Sequence, residues 1–375
     1  MSQFEFGAKE LERYSRHLVL PAFGLEGQKK LKAASVLVVG AGGLGCPALQ
    51  YLVAAVIGRI GILDFDVVSE SNLQRQVLYG TEDIGKSKAQ QAVKKLSQLN
   101  PYTSLSALET KIDSGNALEI ISPYDVVVDC TDNFQTRYLL NDACVLLDKP
   151  LIYGSIFRYE GQVAVFNLKR AANYRDLYPA PPAAGSVPNC EEGGVLGVLP
   201  GVIGSLQANE AIKIITDLGE PLSGKLLIVD MLSLETRLIN FPNQNQRNSI
   251  KKLIDYDAFC GIQQPKPEPE MKEITVEELK RLKDEGKDFQ LIDVREMYEV
   301  EICHIDGEHI PLGEIPHSVD RISKDKQVII HCRSGSRSGN TVKWLEKNHQ
   351  FENLYNLKGG ILAWADQIDP TMSKY

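Results

Sequence analysis

No run of apolar residues in this 375-residue chain reaches the length of a membrane-spanning helix, although 43% of its residues are hydrophobic. The first residues are charged and polar and lack the apolar core of a secretory leader. An excess of positive charge is missing too. The 41 Lys and Arg are outnumbered by 49 Asp and Glu, for a net charge of −8, so nucleic acid, whose phosphates need a basic face, is not the expected partner. Regular cysteine spacing is also absent. Seven cysteines, an odd number, read as reduced intracellular thiols rather than a disulfide framework, and a cytoplasmic location is expected. Cys46, Cys130 and Cys144 lie in apolar strand or helix context and read as core residues, whereas Cys190 and Cys332 have other surroundings.

What is present begins with Val36-Leu37-Val38-Val39-Gly40-Ala41-Gly42-Gly43-Leu44-Gly45, an apolar run of strand length that ends in glycines and enters a helix expected over Pro47 to Ile57. Gly40, Gly42 and Gly45 fit the spacing G-x-G-x-x-G, in which backbone N–H groups close on phosphate at the positive end of a helix dipole. A second strand, Arg59 to Leu63, ends at Asp64, where a carboxylate accepts from ribose hydroxyls. These features alone favour a nicotinamide dehydrogenase. The next segment, Phe65 to Gln76, is polar and long where such an enzyme moves directly to its next helix. It brings Asn72 and Arg75 beside the glycine loop, and Lys86 and Lys88 precede a helix running to Leu99. Several cations around one phosphate loop suit a triphosphate better than a dinucleotide.

Further along, the strand Asp125 to Asp129 ends in Cys130-Thr131-Asp132-Asn133, followed by a helix over Gln135 to Leu146. Asp132 at a strand C-terminus reads either as a Mg²⁺ ligand facing a triphosphate or as a helix N-cap. Leu151 to Ser155 and Gly161 to Phe166 read as antiparallel strands extending the sheet. A long proline-rich loop, 169 to 189, delivers Cys190 ahead of an apolar helix over Val202 to Leu218, and strands at 225–229 and 235–239 close the domain. Residues 8 to 33 read as two short helices, with Arg13 and Arg16 on one face.

Residues 263–271 form an extended Pro-rich linker between a first domain, 1–262, and a second, 272–375. In the second, the strand Gln327 to His331 meets Cys332-Arg333-Ser334-Gly335-Ser336-Arg337-Ser338-Gly339, with a helix expected over Asn340 to Lys347. A cysteine at a strand end, with loop N–H groups and a helix N-terminus behind it, is an anion nest with a nucleophile at its centre, which favours the thiolate. Arg337 follows Cys332 by five residues, whereas a cysteine phosphatase places its arginine at the sixth, here Ser338. The tighter ring suits sulfane sulfur.

By Ser71 to Gln76, Thr131 to Tyr138, Arg13 to Arg16, Gly40 to Gly45 and Cys190 to Gly197, the first domain resembles the ubiquitin-activating-type adenylyltransferases of molybdopterin and thiamine biosynthesis. By Asp293 to Glu296, the Cys332 loop and Lys358 to Trp364, the second resembles a rhodanese. The resemblance implies an α/β protein, with a Rossmann-like doubly wound sheet carrying an antiparallel extension and a small α/β rhodanese domain. It implies that ATP and Mg²⁺ adenylate the C-terminal Gly-Gly of a small ubiquitin-like sulfur-carrier protein. Sulfur then comes from a Cys332 persulfide, charged by a donor such as a cysteine desulfurase or thiosulfate. Molybdopterin synthesis is the favoured pathway; thiamine synthesis and tRNA thiolation are alternatives. The implied nucleotide site comprises Gly40, Gly42, Gly43, Gly45, Asp64, Asn72, Arg75, Lys88, Asp132 and Asn133, with Asp132 on the metal. Arg16 is implied to reach a neighbour's site in a homodimer. Cys190 matches an acyl-accepting or resolving thiol, and Arg333 to Ser338 the persulfide loop. The family's two zinc-binding C-x-x-C pairs are Asn173 and Asp176, and Asp257 and Cys260, in this chain. Zinc is therefore expected to be absent and the loop it anchors to be looser. Val56 stands where the family has glycine, with an effect expected on packing alone.

Overall fold

A computed structural model of the chain describes residues 6–182, 193–261 and 271–375. Strand β1 (Ser35–Val39) is buried along its whole length, because helices cover both faces of the sheet it belongs to. Its alternating side chains sort into two cores. Val36 and Val38 join Leu49, Leu52 and Ile203 on one face, while Leu37 and Val39 join Leu139, Leu140 and Tyr153 on the other.

The chain divides into two units, Met1–Gln263 and Gln264–Tyr375. In the first, β1 is flanked by β2 (Arg59–Leu63) and β4 (Val126–Asp129), both parallel to it. With β3 (Ser104–Leu108), β5 (Leu151–Phe157), β6 (Glu160–Phe166), β7 (Lys225–Asp230) and β8 (Thr236–Asn240), the order is β3-β2-β1-β4-β5-β6-β7-β8. The strand order reverses at β1, so the loops after β1 and β4 open a crevice at their C-terminal ends. β5 runs parallel to β4, and the antiparallel extension begins only with β6. This corrects the expectation that both 151–155 and 161–166 are antiparallel.

Gly45 is required by contact: a Cβ there would lie 2.0 Å from the Gly40 carbonyl oxygen. The helix it opens, Gly45–Ala54, therefore starts and stops earlier than the pattern predicts. Val56 follows it at φ 65°, the left-handed position after a helix end that glycine normally fills. Its replacement thus strains the backbone as well as changing packing. Residues 8–33 form three helices, Ala8–Arg13, Ser15–Leu18 and Gly24–Ala33, rather than two.

The second unit has a five-stranded parallel sheet in the order β11-β10-β12-β13-β9. Its central pair is β10 (Phe289–Asp293) and β12 (Gln327–His331), flanked by β11 (Glu308–His309) and β13 (Leu354–Leu357), with β9 (Glu273–Ile274) at the far edge. The helix after β12 is Ser336–His349. It starts four residues before the predicted Asn340, so Ser336, Arg337 and Ser338 form its first turn. Among the described residues, no helix is long and apolar enough to cross a membrane.

Candidate functional site

A cavity of about 860 Å³ opens at the C-terminal ends of β1 and β4, where the topology places it. Gly40, Gly42 and Gly43 form part of its wall. Gly40 has φ 95°, and a Cβ on it would meet the Cys130 carbonyl oxygen at 2.8 Å. Gly45 lies behind the loop, letting the helix close on it.

Asp64 also lines the cavity. Its Oδ2 accepts from Ala41 N and its Oδ1 from Asp66 N, both at 2.8 Å. Burial raises its pKa, and the two backbone donors work against that shift. Each carboxylate oxygen keeps a lone pair for a hydroxyl group. Arg75 is tethered by an Nη1 bond to the Ser71 carbonyl at 2.9 Å, and Lys88 is held by Asp66 Oδ2 at 3.1 Å, so both cations face the cavity in fixed positions. Asn72 sits in the turn Glu70–Asn72, outside the wall, and Lys86 turns to the Glu82 carbonyl.

Asp132 and Asn133 stand at the opposite rim. Asn133 is the helix cap, its side chain accepting from Thr136 N at 2.9 Å, which leaves the exposed Asp132 carboxylate uncommitted. One carboxylate beside a triphosphate fits the preference of Mg²⁺ for few protein ligands plus phosphate oxygens. Arg16 is exposed on its short helix and is not part of this wall. Cys190 lies outside the described residues. Cys46 and Cys130 are buried, with burial raising the Cys46 thiol to about 12 and Cys130 upward as well, which suits core residues.

Three parts of the wall escaped the sequence reading. Gln76, which closes the Ser71 to Gln76 motif but was assigned no role, is buried beside Gly42, and its Oε1 has no partner among the described residues. Lys111 to Gly115 follow β3, which the sequence reading had not recognised, and Ile254 to Asp257 belong to a segment identified only by its cysteine deficit. Ser114 Oγ ties the latter two together by donating to the Ile254 carbonyl at 2.5 Å.

The residues at the zinc positions do not fit zinc. Asn173 Nδ2 donates to Asp176 Oδ2 at 2.7 Å, and Asp176 Oδ1 accepts from Gln244 N and Gln246 N, leaving Cys260 as the single thiol. An amide, two carboxylates and one thiol are not the donor set of a structural zinc site.

In the second unit, Cys332 ends β12 and is 1% exposed. Its Sγ accepts from Gly335 N at 3.2 Å and from Ser338 Oγ at 3.4 Å. Gly335 makes the turn into the helix at φ 94°. Ser334, Gly335 and Ser336 line a cavity of about 280 Å³. Arg333 Nε donates to the Tyr375 carbonyl at 2.7 Å. Arg337 points its guanidinium at Glu299. The loop brings one amide and one hydroxyl to the sulfur, and the sequence spacing had singled out Ser338 only as the place where an arginine was missing.

The ThiF family matches residues 14–250, and a rhodanese-like domain matches residues 275–367. The "Probable adenylyltransferase/sulfurtransferase MoeZ" of Mycobacterium tuberculosis is 45% identical over 98% of this chain and 96% of its own length. The "Adenylyltransferase and sulfurtransferase MOCS3" of Xenopus laevis is 41% identical over 98% of this chain and 88% of its own. Among solved structures, that of Escherichia coli MccB with ATP shares the fold at TM-score 0.56 and 23% identity, covering 64% of this chain and 73% of that one.

Proposed function

The chain belongs to the ThiF family and carries a rhodanese-like domain, and from that premise we propose that it is an adenylyltransferase and sulfurtransferase acting on a small sulfur-carrier protein. The observation that carries this reading is the presence on one polypeptide of two anion sites with different chemistry. The first is a glycine loop facing Asp64, Arg75, Lys88 and Asp132; the second is a cysteine held by loop donors.

A carboxylate becomes electrophilic once it has a good leaving group. The carrier's terminal Gly-Gly carboxylate attacks the α-phosphate of ATP, pyrophosphate leaves and an acyl adenylate remains. Backbone amides of the glycine loop, with Arg75 and Lys88, hold the polyphosphate, and Asp64 holds the ribose. Asp132 would carry Mg²⁺, which offsets triphosphate charge when bound. Arg16 acts in a neighbour's site, as the finger of a homodimer. A persulfide on Cys332, charged by a cysteine desulfurase or thiosulfate, attacks the acyl carbon and AMP leaves. Cys190 then attacks Cys332 Sγ, releasing the thiocarboxylate and leaving a disulfide for a thiol reductant to open. Molybdopterin synthesis is the pathway favoured, in the cytoplasm.

ATP–pyrophosphate exchange with a Gly-Gly-ended carrier tests this directly. Asp132→Ala is expected to lose exchange, while Cys332→Ala keeps exchange and loses thiosulfate sulfur transfer. Exchange that survives in Asp132→Ala, or sulfur transfer that survives in Cys332→Ala, overturns the corresponding half.

A further inference from the structure

The segments 173–176 and 256–259 both pack onto Asp142 of the helix Phe134–Leu146, the first through an ion pair from Arg175 and the second through the Tyr256 phenol. Arg175 falls between Asn173 and Asp176, on the turn whose ends would have carried the first cysteine pair. Its Nε and Nη2 donate to Asp142 Oδ1 and Oδ2, both at 2.8 Å. Asp142 projects from the helix Phe134–Leu146, and its Oδ2 also accepts from the Tyr256 phenol at 2.7 Å. The Arg175 guanidinium packs over Phe259 at 4.6 Å and Tyr138 at 5.0 Å. Burial opposes the charge on Arg175, yet the hydrogen bonds and field of Asp142 raise its pKa. Burial and the same carboxylate keep the Tyr256 phenol protonated, so it stays a donor. Cys260 lies within reach of this cation: burial raises its pKa and Arg175 partly offsets the rise.

The network touches the nucleotide cavity through its third member. Tyr256 and Asp257 form part of the cavity wall, whereas Asp142 and Arg175 do not. We propose that Asp142, Arg175 and Tyr256 are positioning residues for nucleotide binding, an organic cation and a carboxylate fixing without metal the part of the wall that Tyr256 and Asp257 supply. The inference rests on the adenylation reading. It also replaces the expectation of a looser loop, because a bidentate guanidinium–carboxylate pair fixes orientation as well as distance.

The test uses the full chain, a nonhydrolysable ATP analogue in equilibrium binding, and ATP–pyrophosphate exchange. Arg175→Lys keeps the charge and loses the fork; Tyr256→Phe loses one hydroxyl. Each is expected to keep a cooperative thermal transition and to weaken analogue binding about tenfold. The KM for ATP rises in proportion and kcat stays within about twofold, a split that general destabilisation does not produce. A chelator is expected to leave the wild-type midpoint unchanged. Unaltered analogue affinity in both variants, or a midpoint that falls with chelator alongside one zinc per chain, overturns the proposal. If the wild-type chain bound no ATP analogue, the adenylation reading would fall and the positioning role with it. Tight binding that is equal in wild type and variants overturns the positioning role alone.

Discussion

Arg337 and Glu299 form a two-pronged ion pair, with Nη1 at 2.7 Å and Nη2 at 2.6 Å from the two carboxylate oxygens. The arginine five residues after Cys332 is thus committed to a partner on the short helix Met297–Val300, and the sulfur is left to Gly335 N and Ser338 Oγ. Glu299 is 5% exposed and the Arg337 side chain 17%. Glu299→Gln strands a largely buried guanidinium and should cost about 2–3 kcal/mol, below the fully buried case because Arg337 keeps some contact with water. Urea unfolding followed by tryptophan fluorescence checks this, since Trp344 and Trp364, the two tryptophans of the chain, both lie in the second unit. An unchanged midpoint refutes it.

Ser338 supplies the hydroxyl nearest the sulfur, but it also donates to Asn356 Oδ1 at 2.7 Å. One proton cannot serve the sulfur, this amide oxygen and the Gly335 carbonyl at 3.2 Å together, so the hydroxyl is shared between the sulfur and two oxygens. Ser338→Ala is expected to slow thiosulfate sulfur transfer about tenfold. ATP–pyrophosphate exchange should be untouched. Equal turnover in wild type and variant would remove Ser338 from the site.

Val56 is fully buried, branched at Cβ, and left-handed at φ 65°. Alanine there keeps the backbone strain and loses the packing; glycine loses the same packing and relieves the strain. The usual order, in which alanine is the better replacement, should therefore reverse, with Val56→Gly more stable than Val56→Ala by about 1 kcal/mol. Thermal or urea unfolding of the two variants side by side decides it.

The same position shows what a sequence conveys and what it withholds. A valine in place of glycine is legible, but its φ is not until the helix is seen to end at Ala54. The glycine loop, Asp64 and Asp132 were readable because strand, turn and helix follow one another within a few residues. Strand β3 was missed because it lies at the sheet edge, where Ser104 and Ser106 are exposed and the apolar alternation is weak. Losing β3 hid Lys111 to Gly115, the wall that follows it. The partners of Arg337 and Arg175 escaped for another reason: Glu299 and Asp142 lie 38 and 33 residues upstream, and no local pattern ties an arginine to a carboxylate at that distance.

His331 precedes Cys332 and is fully buried, with neither ring nitrogen hydrogen-bonded and Asp293 Oδ2 3.7 Å away. Burial lowers its pKa to about 4, with Asp293 acting in the opposite direction. The folded state therefore holds the ring neutral, while the unfolded chain takes up a proton near pH 6.5. Stability should be full above that pH and decline as pH falls from about 6.5 to about 4, by on the order of 3 kcal/mol. Glu299 adds a separate loss at lower pH. Burial pushes its carboxyl up, but Arg337 more than offsets this and holds it below the usual range, so its contribution fades only as that lowered pKa is passed. Tryptophan-detected urea midpoints from pH 7.5 to 4.5 should fall for wild type and flatten for His331→Gln.

Arg16 is exposed on the helix Ser15–Leu18 and contributes nothing to the cavity wall of its own chain. If it completes the site of a neighbour, it can be supplied in trans. Arg16→Ala and Asp132→Ala homodimers should each lack exchange activity, for different reasons. In a mixed dimer, the site on the Arg16→Ala protomer keeps its own Asp132 and receives an intact arginine from its partner, while the other site has neither. Two-fold symmetry gives statistical mixing in which half the dimers are mixed and half of their sites work, so about a quarter of wild-type activity should return. Dissociating and reassociating the two variants in equal amounts, then measuring ATP–pyrophosphate exchange, reads this out. No recovery, with mixed dimers verified by native mass spectrometry, would confine Arg16 to its own chain and leave the exposed helix without a catalytic part.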